Sequence, residues 1–297
     1  MIKTPQRVLF SFPFLTIVGL ILLGYSYFIE PRRLVVNSTD LKVNRLDPAF
    51  DGMKIVLISD IHGGSNAVDE SMMARVVDRA NEQDADLIVL LGDYVSETNS
   101  AIPPNLKMPI EQIADGIAGL KAKYGVLAVL GNHDAWYCDA CVRKELTRVG
   151  FKVLENEIVS IDRNGKTLRI LGLPDHLKIR DWKSFSDAAK GALAPTENAG
   201  DVIVLEHGPD VLPVITGGLS ISPNLRLILA GHTHGGQVWL PILGTPIVPS
   251  SYGQKYSFGH IRENDVDMFV TTGVGTSVLP FRFMMPPEIA VVTLRSE

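Results

Sequence analysis

Basic residues are not in excess in this sequence, which limits the partners that we expect. The 297 residues carry 28 Lys and Arg against 33 Asp and Glu, giving a formal net charge of −5 at pH 7. Proteins that follow duplex nucleic acid bind its phosphates through clustered Lys and Arg, so a nucleic-acid partner is not expected. The sequence also contains no internal repeat and no low-complexity tract, and its length favours one large domain.

Cysteine is almost absent too. Cys138 and Cys141 are the only two, in the sequence Cys-Asp-Ala-Cys. A structural zinc site would need two further ligands, and none is spaced for it nearby. Two interpretations of the pair stay open: an incidental or locally bracing pair, and a redox switch.

One long apolar run stands out near the start of the chain. Residues 8–29 contain no charged side chain and are long enough to cross a hydrocarbon core of about 30 Å. No Ala-x-Ala-like cleavage site follows the run, so a retained anchor is favoured over a cleaved signal peptide. Aromatic residues and an arginine pair lie at its end, as they do at a membrane interface. These are Tyr25, Tyr27, Phe28, Arg32 and Arg33.

We therefore predict a single-pass anchor in the cell membrane over residues 1–31 and one folded domain over residues 32–297. The basic residues on the two sides of the apolar run are nearly balanced. Their count favours a cytoplasmic folded domain only slightly, so the side of the membrane stays open.

Five apolar runs in the folded domain have the length and composition of buried strands. They are 55–58, 87–91, 126–130, 202–205 and 225–229. Helical spacing of apolar residues between them, as over residues 71–83, makes the fold class α/β. The alternation of strands and helices favours a two-sheet β-sandwich flanked by helices.

A short polar block follows each apolar run. The blocks are Ser59-Asp60-Ile61-His62, Gly92-Asp93, Gly131-Asn132-His133-Asp134, Glu206-His207 and Gly231-His232-Thr233-His234. Side chains at the carboxyl ends of strands in an α/β protein converge on one crevice. A set of Asp, His and Asn suits a first-row divalent metal better than calcium. The pattern therefore indicates a metal-dependent hydrolase.

Each of these residues alone would be weak evidence. An Asp or Asn after a strand is usually a turn or helix cap, and a lone His is more often a structural residue. That interpretation requires five independent coincidences at the same end of five strands. Gly92, Gly131 and Gly231 stand directly before polar residues, where the backbone must turn sharply and approach an ion closely. A metal site explains all the blocks at once.

In order and spacing, the blocks resemble the calcineurin-like metallophosphoesterase pattern of D-x-H, G-D, G-N-H-D/E, a lone His and G-H-x-H. The resemblance covers about residues 50–297 and is strongest to a branch with one N-terminal membrane segment. It implies the metallo-dependent phosphatase fold. It also implies two divalent metal ions as cofactors, with Mn²⁺ favoured and Zn²⁺ or Fe²⁺ as alternatives.

Carried over position by position, the resemblance implies that the two metals share Asp93. The first metal would be bound by Asp60, His62, Asp93 and His234, and the second by Asp93, Asn132, His207 and His232. A hydroxide shared by both metals would attack the phosphorus, and His133 would protonate the leaving group.

The chain departs from the phosphoprotein phosphatases of this superfamily at one block. Those enzymes continue as G-D-x-x-D-R, whereas Asp93 is followed here by Tyr94-Val95-Ser96-Glu97. The carboxylate that orients the catalytic His and the arginine are both missing, which argues against a phosphoserine substrate. Asp134 and Ser96 are the candidates for the orienting partner, and Asp134 joins His133 among the predicted catalytic residues.

Two apolar stretches near the end of the chain allow two interpretations. Residues 238–243 and 278–285 are either ordinary core and loop packing or an apolar lip that faces a bilayer. In the second interpretation, Arg282 would lie near a substrate phosphate, and the Met and Phe side chains would lie against acyl chains.

The predicted function is hydrolysis of a phosphodiester or pyrophosphate bond in a membrane-associated substrate, with a lipid among the candidates. Some anchored relatives within the resemblance cleave the pyrophosphate of UDP-2,3-diacylglucosamine in lipid A assembly, and others are general phosphodiesterases. A non-catalytic, metal-stabilised scaffold is the alternative from a different class. It is disfavoured because His133 and every implied metal position are present.

Overall fold

The computed structural model describes residues 11–98, 104–196 and 200–297. Within these ranges the strands are β1 Val35–Val43, β2 Lys54–Ile58, β3 Leu87–Leu91, β4 Val126–Val129, β5 Lys152–Val153, β6 Glu157–Arg163, β7 Lys166–Gly172, β8 Asp201–Leu205, β9 Leu225–Ala230, β10 Gly259–Glu263, β11 Val266–Val270 and β12 Glu288–Ser296. The α-helices are α1 Ser11–Phe28, α2 Glu70–Asn81, α3 Ile110–Ile117, α4 Asn132–Tyr137, α5 Asp139–Arg148, α6 Trp182–Leu193 and α7 Leu212–Thr216.

The strands form two six-stranded sheets that pack face to face. The first has the order β1-β12-β2-β3-β4-β5, and the second the order β10-β11-β9-β8-β7-β6. One buried apolar cluster lies between them, with Val89 of the first sheet and Leu229 of the second among its members. The outer face of the first sheet is covered by α2, α3 and α5, and that of the second by α6 and α7. These layers confirm the predicted α/β fold, a two-sheet sandwich flanked by helices.

Parallel pairing sets the positions of the polar blocks. In the first sheet β2, β3 and β4 are parallel neighbours, and in the second β7, β8 and β9 are. Each of the five predicted apolar runs forms one of these strands. Because parallel strands end at the same edge of a sheet, the blocks after β2, β3 and β4 emerge together, as do those after β8 and β9.

Helix α1 projects from the folded domain. By length and composition, residues 14–32 contain the one helix among the described residues that could cross a membrane. The end of α1 is attached to the domain, since the Arg282 N–H donates to Ser26 O (3.0 Å) and the Asn66 side-chain amide donates to Tyr27 O (2.8 Å). Residues 8–10 of the predicted apolar run lie outside the described residues.

The two cysteines are paired. Cys138 and Cys141 form a disulfide at the beginning of α5. Cys138 is also the N-cap residue of that helix, and its Sγ accepts from the Cys141 N–H. This placement agrees with the bracing interpretation of the pair.

Candidate metal centre

The polar blocks from both sheets meet at one site. Asp60, His62, Asp93 and Asn132 come from the first sheet, and His207, His232 and His234 come from the second. All of them except His232, which is partly exposed, are buried. Buried polar side chains need partners. The atoms that lie opposite these side chains therefore indicate which kind of site they form.

Left-handed backbone conformations are concentrated in these blocks. Asp60, His62, Asp93, His232 and His234 have φ angles between 46° and 68°. Residues other than glycine rarely adopt this region. Such strain persists where the surrounding structure imposes it, and it clusters at functional sites. The concentration disfavours five unrelated turns.

The first group of ligand atoms is centred on His234. Its Nε2 lies 3.3 Å from Asp60 Oδ1 and 3.2 Å from His62 Nε2. His62 Nε2 in turn lies 3.6 Å from Asp93 Oδ2. Asp60 Oδ1 is buried and has no hydrogen-bond partner among the described residues. Imidazole nitrogens and carboxylate oxygens that face one another in this way fit a divalent cation between them.

The second group is centred on His207. Its Nε2 lies 3.2 Å from Asp93 Oδ2 and 3.1 Å from His232 Nδ1. Asn132 Oδ1 is buried and, like Asp60 Oδ1, finds no hydrogen-bond partner in the part of the chain that the structure describes. Asp93 Oδ2 therefore faces both groups. The residues present fit two cations that share this one carboxylate.

Backbone carbonyls orient two of the histidines. His62 Nδ1 lies 3.1 Å from Val95 O, and His207 Nδ1 lies 2.7 Å from Leu91 O. A carbonyl oxygen can only accept, so each Nδ1 carries the proton. In the neutral ring the lone pair of Nε2 is free for a metal, as in many histidine metal sites. Burial would lower the pKa of His207, but Asp93 and Asp60 hold it well above its usual range, so a metal bound there would displace the Nε2 proton.

The protonation states of His62, His232 and Asp93 also suit metal binding. Burial lowers the pKa of His62 to about 3, and burial together with the charge of His207 lowers that of His232 to about 3. Both are therefore neutral imidazoles, the form that binds metals. Burial would raise the pKa of Asp93, but the neighbouring His207 outweighs it and holds this pKa well below its usual range. The shared carboxylate is therefore ionised.

Known proteins carry the same signature. The sequence model of the calcineurin-like phosphoesterases matches residues 53–236, more than half of the chain. The chain belongs to the calcineurin-like phosphoesterase family. This family uses divalent metals, which agrees with the two ligand groups.

Two similar sequences and one similar solved structure show how closely this chain matches known proteins. YkuE, a metallophosphoesterase of Bacillus subtilis, is 31% identical over 276 residues, which cover 92% of this chain and 90% of YkuE. A transmembrane protein with a metallophosphoesterase domain from Danio rerio is 26% identical, over 90% of this chain and 58% of its own length. Among solved structures, a dimetal phosphatase from Danio rerio has a TM-score of 0.47 at 12% identity, over 79% of this chain and 90% of that one.

His133 of this phosphoesterase is held by a carboxylate that the sequence did not point to. Its Nδ1 lies 2.6 Å from Glu97 Oε2, and its Nε2 lies 3.3 Å from Ser277 Oγ. Asp134 and Ser96 were the candidates for the orienting partner, and the structure places Glu97 at Nδ1 instead. Glu97 stands four residues after Asp93, one residue beyond the orienting Asp of the G-D-x-x-D-R pattern. That spacing was the signal available in the sequence.

Asp134 acts on the backbone instead. Its buried carboxylate accepts from the N–H groups of Gly131, Asp93 and Tyr94 at 2.8 to 2.9 Å. The block after β4 is thereby tied to the block after β3. Asp134 thus holds the loop that carries Asp93.

Arg282 is not at the substrate position that was expected. Its side chain is 0% exposed. The guanidinium donates to the backbone carbonyls of Thr272, Gly275 and Met285 at 2.6 to 3.1 Å. Arg282 Nη2 also lies 3.4 Å from His234 Nδ1, so Arg282 braces the loop that follows β11 and lies against one of the ligand histidines.

An open cavity of about 1390 Å³ lies above the ligand groups. Asp93, Asn132, His133, His232 and His234 line one part of it. Its other walls are largely apolar and include Trp136, Ile179, Trp182, Val214, Val248 and Leu279. The volume exceeds the ~300–1,000 Å³ of most small-ligand sites. The cavity can therefore take a phosphate group together with a sizeable apolar moiety.

His176, which lies outside the polar blocks, also lines the cavity. His176 Nδ1 lies 3.2 Å from Glu206 Oε1, and the ring stacks on Trp182 with centroids 5.7 Å apart. Its edge faces His232 at 6.3 Å. Glu206 and Asp175 are fully buried beside it. His176 therefore adjoins the second ligand group, as His133 adjoins the first.

Proposed function

We propose that this phosphoesterase is a binuclear metal-dependent hydrolase of a phosphodiester or pyrophosphate bond. The observation that carries the proposal is the pair of ligand groups that share Asp93 Oδ2, with His133 beside them. When bound, two divalent ions, Mn²⁺ first among them, would supply Lewis acidity towards the attacking water and the phosphoryl oxygens.

The residues around the ions have separable tasks. Asp60, His62 and His234 would hold one ion, Asn132, His207 and His232 the other, and Asp93 both. His133 would give a proton from Nε2 to the leaving oxygen, while Glu97 accepts from Nδ1–H and keeps the ring oriented. Since Asp134 fixes the loop of Asp93, it is a positioning residue in this scheme.

The cavity supports a substrate with an apolar part. A compact phosphate would leave most of a volume of about 1390 Å³ unfilled. UDP-2,3-diacylglucosamine, with a pyrophosphate between a nucleoside and an acylated sugar, is one candidate of this kind. A general phosphodiesterase acting on varied diesters is the other.

We also propose that residues 1–31 anchor the protein in the cell membrane and that residues 32–297 form the catalytic domain. The support is the projecting apolar helix α1 and the transmembrane protein among the similar sequences. Cytoplasmic and external placements of the domain are both compatible with this arrangement.

The test is hydrolysis of bis-p-nitrophenyl phosphate and of UDP-2,3-diacylglucosamine by the full-length protein with added Mn²⁺. Wild type is compared with Asp93→Ala and His133→Ala, and bound manganese is counted for each. His260→Ala is the matched control, because His260 lies on the edge strand β10 and pairs with Asp267 of β11. Asp93→Ala should lose both metal and turnover. His133→Ala should keep the metal and lose turnover, and the control should keep both.

The preferred substrate then separates the two candidates. Turnover mainly of the acylated sugar nucleotide identifies a lipid-pathway pyrophosphatase, and comparable turnover of the soluble diester identifies a general phosphodiesterase. Two equivalents of bound manganese without turnover of any phosphoester would reject the enzyme and favour a metal-stabilised scaffold.

A further inference from the structure

Two loops beside the cavity form one continuous apolar surface, which we call the apolar rim. It consists of residues 238–249 and 277–287. The loops are joined, because the Trp239 N–H donates to Phe283 O (2.9 Å) and the Gln237 side-chain amide donates to Ser277 O (2.9 Å). The rim therefore behaves as one surface rather than as two independent loops.

The rim exposes large apolar side chains to an unusual degree. Ile242 is 103% exposed and Val278 is 98% exposed, with Ile247 and Leu243 at 71% and 63%. Scattered exposed apolar residues are ordinary, but a contiguous patch marks a surface that meets a membrane or another protein. Arg282 is the sole charged residue in the two loops, and it is buried. The rim thus presents no charge that a bilayer would exclude.

The position of the end of α1 indicates that a membrane covers this surface. Arg282, within the rim, donates its N–H to Ser26 O at 3.0 Å. Asn66 joins the two parts as well, since its side-chain amide donates both to Tyr27 O (2.8 Å) and to Pro280 O (2.6 Å). The point at which an apolar helix leaves the domain is therefore part of the rim. If α1 is inserted in a membrane, the rim therefore lies at the surface of that membrane.

We propose that the apolar rim lies in the headgroup and upper acyl region of the bilayer that holds α1, so that the cavity opens towards the membrane. Ile247, Val278 and Leu279 belong both to the rim and to the cavity wall. The substrate class is then an amphiphile that reaches the metal centre from the membrane, with its apolar part against the rim. This inference rests on the proposed membrane anchor and hydrolase activity.

The first experiment measures the depth of the rim without using catalysis. Full-length protein in lipid nanodiscs carries an environment-sensitive nitrobenzoxadiazole probe on Ile242→Cys or Val278→Cys, with the native disulfide left oxidised. Asn164→Cys is the matched control, because Asn164 is exposed in the β6–β7 turn, at the strand ends opposite the metal centre. Doxyl-labelled lipids should quench the two rim probes and leave the control bright. Equal quenching of all three probes by aqueous iodide, with none by the lipids, would overturn the proposal.

A second experiment asks whether the rim serves the substrate. The double variant Ile242→Asp, Leu243→Asp changes two exposed rim residues outside the cavity wall. It should lose turnover of an acylated phosphodiester embedded in the nanodisc and keep turnover of soluble bis-p-nitrophenyl phosphate. Asn164→Asp should change neither. Equal loss on both substrates would overturn the substrate route. If no variant and no wild type turned over any substrate while the rim probes were quenched by lipid, the hydrolase would be rejected and the membrane contact of the rim would stand.

Discussion

Two histidine–carboxylate pairs adjoin the metal centre, and they differ in how open they are. His133 and Glu97 lie beside the first ligand group with side chains 18% and 14% exposed, whereas His176 and Glu206 lie beside the second with side chains 7% and 0% exposed. The His133 ring meets His62 edge to face at 4.7 Å. The His176 ring is covered by Trp182.

The difference in exposure predicts two different tasks for the same pair of residue types. A histidine that moves protons must reach water or substrate. His133 meets that requirement, because it lines the open cavity and its Nε2 lies 3.3 Å from a hydroxyl, Ser277 Oγ. His176 is held by stacking and by Glu206, with Asp175 also against its ring. We therefore expect His133 to take part in the chemistry and His176 to hold the shape of the cavity beside His232.

Removing each imidazole tests this division most strongly. His133→Ala should lower kcat by about 10²- to 10⁴-fold, the range for a lost general acid. His176→Ala should raise KM for a large substrate and leave kcat for bis-p-nitrophenyl phosphate nearly unchanged. Steady-state kinetics at saturating Mn²⁺ measure both. A loss of kcat in His176→Ala as large as in His133→Ala would remove the distinction.

The carboxylates provide the next test. Glu97→Gln should lower kcat by about 10- to 100-fold, the equivalent of ~1.5–3 kcal/mol for a hydrogen bond to a charged group. KM should stay the same, because Glu97 acts through His133, and Glu97→Asp should recover part of kcat. Glu206→Gln is the matched change at the other pair and should spare kcat. A rise in KM without a fall in kcat for Glu97→Gln would contradict this role.

The sequence predicted the parts of the fold that depend on local pattern. Apolar runs identified the five strands that carry the polar blocks, and the helical spacing over residues 71–83 corresponds to α2 at Glu70–Asn81. Strand β12 could not be placed in this way. It lies between β1 and β2, parallel to one and antiparallel to the other. Its pairing depends on contacts with residues more than 200 positions away in the sequence.

The site, too, was predicted only in part. Ligands at strand ends are fixed by the blocks themselves, so the structure brings all of them together. Glu97 was missed because its partner His133 is 36 residues away and on a different strand end. Arg282 was misplaced because sequence does not distinguish an arginine that binds phosphate from one that binds backbone carbonyls. Both outcomes depend on which loops meet in three dimensions.

Adding a single methyl group beside Asp93 tests how far metal binding depends on the position of this carboxylate. A Cβ on Gly131 would lie 2.3 Å from Asp93 Oδ1. The φ of −105° at this residue suits alanine, so Gly131→Ala should act by displacing the shared carboxylate. We expect Mn²⁺ affinity, measured by isothermal titration calorimetry, to fall by about 10- to 100-fold. Unchanged affinity would show that Asp93 does not need its present position.

The same change beside His176 should have the smallest effect. A Cβ on Gly208 would lie 2.3 Å from His176 Cε1, again at a φ of −105°. Gly208→Ala should destabilise the fold by about 1–3 kcal/mol through overpacking, measured by chemical unfolding. Gly191→Ala, in the exposed surface of α6 with nothing within 4 Å, is the control and should stabilise by up to ~1 kcal/mol. Mn²⁺ affinity should stay unchanged in Gly208→Ala. If it fell as far as in Gly131→Ala, His176 would be coupled to the metal ligands through His232, and the two pairs would act as one unit.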